Sequence, residues 1–152
     1  MKKCCFAGHS EIYSDKDLIC NMVKNKAEEL ITKENVKEFW AGNYGAFDYI
    51  AASAIRKLKK TYSDISLVLV IPYLTREINE YKKQYDKDYD MILVSDVPEK
   101  TPRRYYIIKT NEYMVDNSDY LICFVKHSWG GAAKTLEYAE KKKYITIFNL
   151  VI

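Results

Sequence analysis

The chain has 152 residues, 48% hydrophobic and 30% charged, with 24 basic against 21 acidic side chains for a net charge of +3. This is the profile of one globular domain, residues 1–152, able to bury a core without staples; so small a positive excess suits a small anion and does not advertise a nucleic-acid stripe. No apolar run approaches the ~20 residues of a membrane span, and Met1-Lys2-Lys3 precedes too short an apolar stretch for a secretory signal, so a cytoplasmic protein without a membrane partner is expected.

In chain order, Cys4–Ala7 reads as a short buried strand ended by Gly8-His9-Ser10. From about Ser14 to Thr32, Leu18, Ile19, Met22, Val23, Ala27, Leu30 and Ile31 recur at helical spacing, with Ser14 and Asp17 as the capping pair. Val36–Ala41 is the second strand, closed by Gly42-Asn43-Tyr44-Gly45, and Ala46 to about Lys60 is a helix whose small alanines suit close packing. Leu67–Ile71 is an aliphatic strand ended by Pro72, followed by a polar, tyrosine-rich helix from Thr75 to about Tyr89. Met91–Val94 is a strand, Arg103–Asn117 a helix, Tyr120–Val125 a strand, Ala132–Lys142 a helix and Ile145–Leu150 a final strand. Doubly buried strands alternating with helices predict a Rossmann-like, doubly wound, mostly parallel α/β sheet with helices on both faces.

The cysteines (Cys4, Cys5, Cys20, Cys123) fall on predicted strands or a helix, so buried reduced thiols are expected. No CxxC pair or second histidine cluster supplies the roughly four converging ligands of structural zinc, and no metal is expected. A Gly-x-Ser-x-Gly elbow and a Walker spacing are also absent from the sequence.

Open parallel sheets bind ligands beyond the carboxyl ends of their strands. Four loops fall there: Gly8-His9-Ser10, Gly42–Gly45, Pro72-Tyr73 and His127–Gly131. Gly130, Gly131, Lys134 and Thr135 offer backbone amides, a helix dipole, an ammonium and a hydroxyl to a phosphate; the competing reading is a turn before a solvated helix. Gly42, Gly45 and Asp48 suit a ribose, or simply a tight strand–helix turn, and Asn43 on the same loop is a further candidate ligand contact. His9 is placed to contact a phosphate or base, or to bond backbone; Tyr44 and Trp129 to stack on a base, or to pack. Arg103 and Arg104 open a predicted helix, where guanidinium groups either meet phosphate or stay solvated.

Five motifs occur in order: Cys4-Cys5-Phe6-Ala7-Gly8-His9, Trp40-Ala41-Gly42-x-x-Gly45-x-Phe47-Asp48-x-x-Ala51-Ala52, Val70-Ile71-Pro72-Tyr73, Asn111-x-x-Met114-Val115-Asp116-x-Ser118-Asp119 and Gly130-Gly131-x-x-x-Thr135-x-x-Tyr138-Ala139. Together they resemble the YpsA-like branch of the SLOG superfamily, which also holds the Lonely Guy phosphoribohydrolases and DNA-processing protein A. The resemblance implies a domain that binds a nucleotide or nucleotide-derived ligand, with sensors commoner than enzymes. Ser10 stands where the pattern usually has arginine, and Lys109-Thr110-Asn111 where it favours Lys-Arg-Asn, so two cations are missing. Against the Lonely Guy motif, Glu137 keeps its spacing from Gly130, while Trp129 replaces a proline and Lys134 a threonine.

The leading expectation is a nucleotide-ligand sensor or sequestering module needing no cofactor, its ligand held by the four loops. The alternatives are an enzyme cleaving an N-glycosidic bond with Glu137, and an interaction protein with a vestigial pocket. The 14% aromatic content, the Ala46–Lys60 helix and the tyrosines at 81, 85 and 89 suggest a homodimer; nucleic acid is not an expected partner.

Overall fold

A computed structural model of the chain describes residues 1–73, 87–98 and 100–151. Within these, β1 (Lys2–Gly8), β2 (Val36–Ala41), β3 (Ser66–Ile71), β4 (Met91–Val94), β5 (Tyr120–Phe124) and β6 (Thr146–Asn149) form a sheet in the order β4-β3-β2-β1-β5-β6. Every neighbouring pair is parallel. The fold is therefore the Rossmann-like α/β arrangement that the strand and helix periods predict.

Alternation of side chains along the central strands divides the core in two. Cys4, Phe6, Phe39, Ala41, Leu67, Leu69, Ile122 and Phe124 face α1 (Lys16–Glu34) and α2 (Ala46–Lys59). Cys5, Ala7, Trp40, Val68, Val70, Leu121 and Cys123 face α3 (Tyr106–Asp116) and α4 (Gly131–Glu140). Strands buried on both sides must be apolar at consecutive positions, which is why β1, β3 and β5 read as continuous runs. The edge strands β4 and β6 are only partly covered.

Helix ends follow local chemistry. The α1 cap is Asp15, whose carboxylate accepts the N–H groups of Asp17 and Leu18, and not Ser14; the Ser14 hydroxyl instead accepts from Lys126 Nζ at 3.0 Å. At its other end Asn35 adopts the left-handed region (φ 59°), extending the helix past the expected Thr32. The predicted Arg103–Asn117 helix begins as a 3-10 turn, Arg103–Tyr105, before α3. The helix expected from Thr75 to Tyr89 lies almost wholly outside the described residues, as do Tyr81 and Tyr85. Tyr89 is described, and is a buried core residue.

Close packing brings α2 under the end of β1. Ala51, Ala52 and Ala54 are fully buried, and a Cβ added to Gly8 would lie 2.3 Å from the Phe47 ring. Only glycine permits that approach. The free thiols are buried; burial pushes Cys5 and Cys123 up to about 12, so both stay protonated within the sheet.

Candidate functional site

The connections from β1 run through β2 toward β4, while β5 and β6 lie on β1's other side. The order thus reverses between β1 and β5, and the loops leaving these two strands diverge to open a crevice. A cleft of about 390 Å³ occupies this position, lined by the β1 exit (Gly8, His9, Ser10), the α2 start (Tyr44, Gly45, Asp48), α3 (Ile107, Asn111) and the β5 exit (His127, Trp129, Gly130, Gly131). Its volume is within the ~300–1,000 Å³ of small-molecule sites.

His9 ties the walls together. Its N–H donates to Phe124 O at 3.3 Å, its carbonyl accepts Phe47 N–H at 3.4 Å, and its Nε2 accepts the backbone N–H of Lys126 at 2.8 Å. Burial first, then His127 and Lys126, hold the imidazole below its ordinary pKa, so the neutral ring that can accept is the one present at pH 7. An accepting Nε2 leaves the proton on Nδ1. Just beyond, the Asn149 side chain bonds both backbone groups of Val125 at 3.1 Å, continuing the β5 ladder to the point where the loop turns away.

The two glycine-framed helix starts differ. At α2, Ala46 N–H donates to Ser10 O at 2.9 Å and Phe47 N–H to His9 O, so the β1 loop already caps the helix. A Cβ on Gly45 would fall 2.4 Å from Ser10 Cα, which keeps the two loops in backbone contact. At α4, no side chain caps the helix, and among the described residues the amides of Gly131, Ala132 and Ala133 donate to no protein atom. Gly130 adopts φ +92°, a conformation that favours glycine, and the space beside Gly131 is open within 4 Å. The α4 start is thus the free anion-binding terminus of the pair.

Asp48 faces the cleft and accepts Tyr44 N–H at 3.0 Å. Burial pushes its carboxyl up to about 6, against the opposing pull of the Tyr44 and Gly45 N–H groups. Gly42 and Asn43 lie behind it: a Cβ on Gly42 would approach Asp48 Oδ2 at 3.3 Å, and Asn43 O accepts the Tyr49 hydroxyl. They shape the turn and do not line the cleft.

On the opposite wall three rings stack in a column. His127 lies 3.9 Å from His9 on one side and 3.9 Å from Trp129 on the other, with interplanar angles of 18° and 13°. Trp129 ends the column with 69% of its surface exposed. No lysine or arginine is among the described residues lining the cleft, whereas Glu11 and Asp48 are.

Several sequence candidates stand elsewhere. Thr135 is buried and its hydroxyl donates to Gly131 O at 3.0 Å inside α4. Lys134 is exposed and outside the cleft lining, and Glu137 is exposed beside Lys141, 3.8 Å away. Pro72 lines a neighbouring hollow with Arg103. Conversely, Glu11, Tyr13, Ile107 and Asn111 line the cleft without having been singled out as ligand groups. Asn111 alone carried a signal, as the first residue of the fourth motif.

The fold and cleft define a Rossmann-like protein with a ligand-sized crevice at its topological switch point. The family described as YpsA, the YspA SLOG family, matches residues 9–149, and the chain belongs to it. The uncharacterized SPbeta prophage-derived protein YoqJ of Bacillus subtilis (strain 168) is 28% identical over 131 residues, 75% of each chain. UPF0398 protein BH1768 of Halalkalibacterium halodurans is 26% identical over 119 residues, 74% of this chain and 63% of the relative. Among solved structures, DNA processing protein A of Streptococcus pneumoniae superposes with a TM-score of 0.69 at 16% identity, over 97% of this chain and 50% of that one. The Helicobacter pylori protein of the same name, whose structure describes a single-stranded DNA binding mode, gives 0.62 at 16% identity over 99% and 64%. This chain thus spans half to two thirds of those solved chains, and the likeness is one of fold.

One expectation is corrected by this comparison. A modest net charge had argued against nucleic acid, yet the H. pylori protein joins the same fold to single-stranded DNA binding. Net charge reports the average surface; a local cleft of amides and rings is invisible to it. Among the described residues, no helix is long and apolar enough to cross a membrane.

Proposed function

We propose that this chain binds a nucleotide unit, in a free nucleotide-derived molecule or in a strand, as a sensor or sequestering module. The phosphate sits on the α4 amides, the base stacks on the Trp129 end of the ring column, and Asp48 accepts from the ribose hydroxyls. The observation that carries the reading is the contrast between the two helix starts: α2 is closed by the β1 loop, while at α4 Gly131 and Ala132 line the cleft with amides that, among the described residues, donate to no protein atom. A helix start without a cation favours a phosphate of low charge, and stacking on an exposed ring contributes about 1–3 kcal/mol per base. Glu137, the carboxylate that the Lonely Guy spacing would assign to glycosidic cleavage, stands outside the cleft lining, so we favour binding over that chemistry. Thermal-shift screening against mononucleotides, dinucleotides and short oligonucleotides tests it. A ligand at a hundredfold excess over its Kd adds about 2.7 kcal/mol of stability, and a flat response across the panel overturns the reading.

A further inference from the structure

Beside the cleft, on the same edge of the sheet, lies a second hollow of about 400 Å³, lined by Pro72, Tyr73, Val97, Pro98, Arg103 and Tyr106. It sits between the end of β3 and the entry to α3. Tyr73 and Tyr106 meet edge to face, their centroids 5.3 Å apart, and the Arg103 guanidinium lies 6.0 Å from the Tyr73 ring. The Tyr73 side chain is the first interaction partner of the Arg103 guanidinium, and Arg104 follows it over the Tyr105 ring at 4.9 Å.

The two hollows adjoin. Ile107 lines the first and Tyr106 the second, at consecutive positions. Tyr44, on the rim of the cleft, has its phenol raised first by burial and then by the neighbouring Tyr73. β1 and β3 are separated by one strand, so their ends stand two strand spacings, roughly 10 Å, apart. The chemistry is complementary: the cleft offers amides and a ring column without a cation, and the second hollow offers tyrosine rings with the guanidinium of Arg103, whose first interaction is with the Tyr73 side chain.

We propose that the Tyr73–Tyr106–Arg103 hollow is a second ligand subsite, so that the ligand comprises two nucleotide units joined through phosphate. Resting on the binding reading above, the first unit occupies the cleft. The second stacks its base against the tyrosines, and Arg103 meets the phosphate that links them. A dinucleotide and two adjacent residues of a single strand share this chemistry.

Isothermal titration with the four 5′-mononucleotides, the corresponding 5′-phosphorylated homodinucleotides and homohexanucleotides separates the possibilities. The expected result is a dinucleotide affinity at least tenfold above that of the matching mononucleotide. Tyr73→Ala and Arg103→Gln should each reduce it to the mononucleotide level; neither residue lines the cleft, so unchanged mononucleotide binding also reports an intact fold. Hexanucleotides binding more tightly than dinucleotides identify a strand as the source; equal binding identifies a free dinucleotide. Equal mono- and dinucleotide affinities, or variants that retain the difference, overturn the second subsite while the cleft reading stands. Absence of binding to every probe overturns both.

Discussion

His9 Nε2 accepts the backbone N–H of Lys126 at 2.8 Å, joining the loops that leave β1 and β5. The bond spans the point where the sheet order reverses, so one side chain sets the distance between the two walls of the cleft. It also starts the ring column, because the orientation that directs Nε2 toward Lys126 lays the imidazole against His127.

That bond gives the protein an acid-sensitive element. Because the folded pKa of His9 lies below its ordinary 6.5, the native state binds fewer protons than the unfolded chain. The stabilisation is therefore complete above about pH 6.5 and is lost as pH falls through the lower folded value. His9→Ala leaves the Lys126 amide unpaired, and we expect a loss of about 1–2 kcal/mol at pH 7.5 with a reduced loss at pH 5. Urea denaturation at the two pH values checks it; equal losses would count against an acid-sensitive bond.

Asp48 acts in the opposite sense. Its carboxyl is raised from 3.8 to about 6, so the folded state favours the proton and ionisation costs stability. That cost is absent below about pH 4, grows as pH rises toward 6 and is full above it. Asp48→Asn retains an oxygen acceptor for Tyr44 N–H and removes the charge. It should raise stability at pH 8 by roughly 1–3 kcal/mol and leave it unchanged near pH 3.5. Losing the ionised acceptor should weaken nucleotide binding about tenfold, or ~1.4 kcal/mol. Denaturation curves and titration of the same variant separate the two effects.

Gly131 separates folding from binding. Nothing lies within 4 Å of a Cβ placed there, and a carboxylate at the α4 start is favoured by the helix dipole. Gly131→Asp should therefore keep or raise the melting temperature while abolishing nucleotide binding through repulsion of the phosphate. Gly130→Ala, forced toward φ +92°, should instead cost about 1–3 kcal/mol of stability. If Gly131→Asp binds as well as wild type, the phosphate does not sit on α4.

Glu137→Gln should leave affinity unchanged, since Glu137 lies outside the cleft lining and its contact with Lys141 is a surface pair. A loss above threefold by titration would return Glu137 to the site.

The sequence alone determined the fold class. Uninterrupted apolar runs such as Leu67–Ile71 demand burial on both faces, and the intervening helical periods supply the covering layers. Glycines and polar residues at strand ends also marked the edge where the cleft lies, and Gly130-Gly131 marked the helix start that proves uncapped. The Gly42–Gly45 and Gly130-Gly131 turns each admitted a ligand reading beside a plain-turn reading, because glycines before a helix read the same whether the helix amides are used or free. Only the tertiary structure distinguished them: the β1 loop carbonyls reach α2 and leave α4 unfilled. The same limit applies to Thr135 and Glu137, whose spacing from Gly130 fits a site but whose helical phase turns one into the helix and the other toward Lys141. The column of His9, His127 and Trp129 joins residues far apart in the chain. No local pattern encodes it, since it exists only because parallel pairing sets β1 beside β5 and brings their exits face to face.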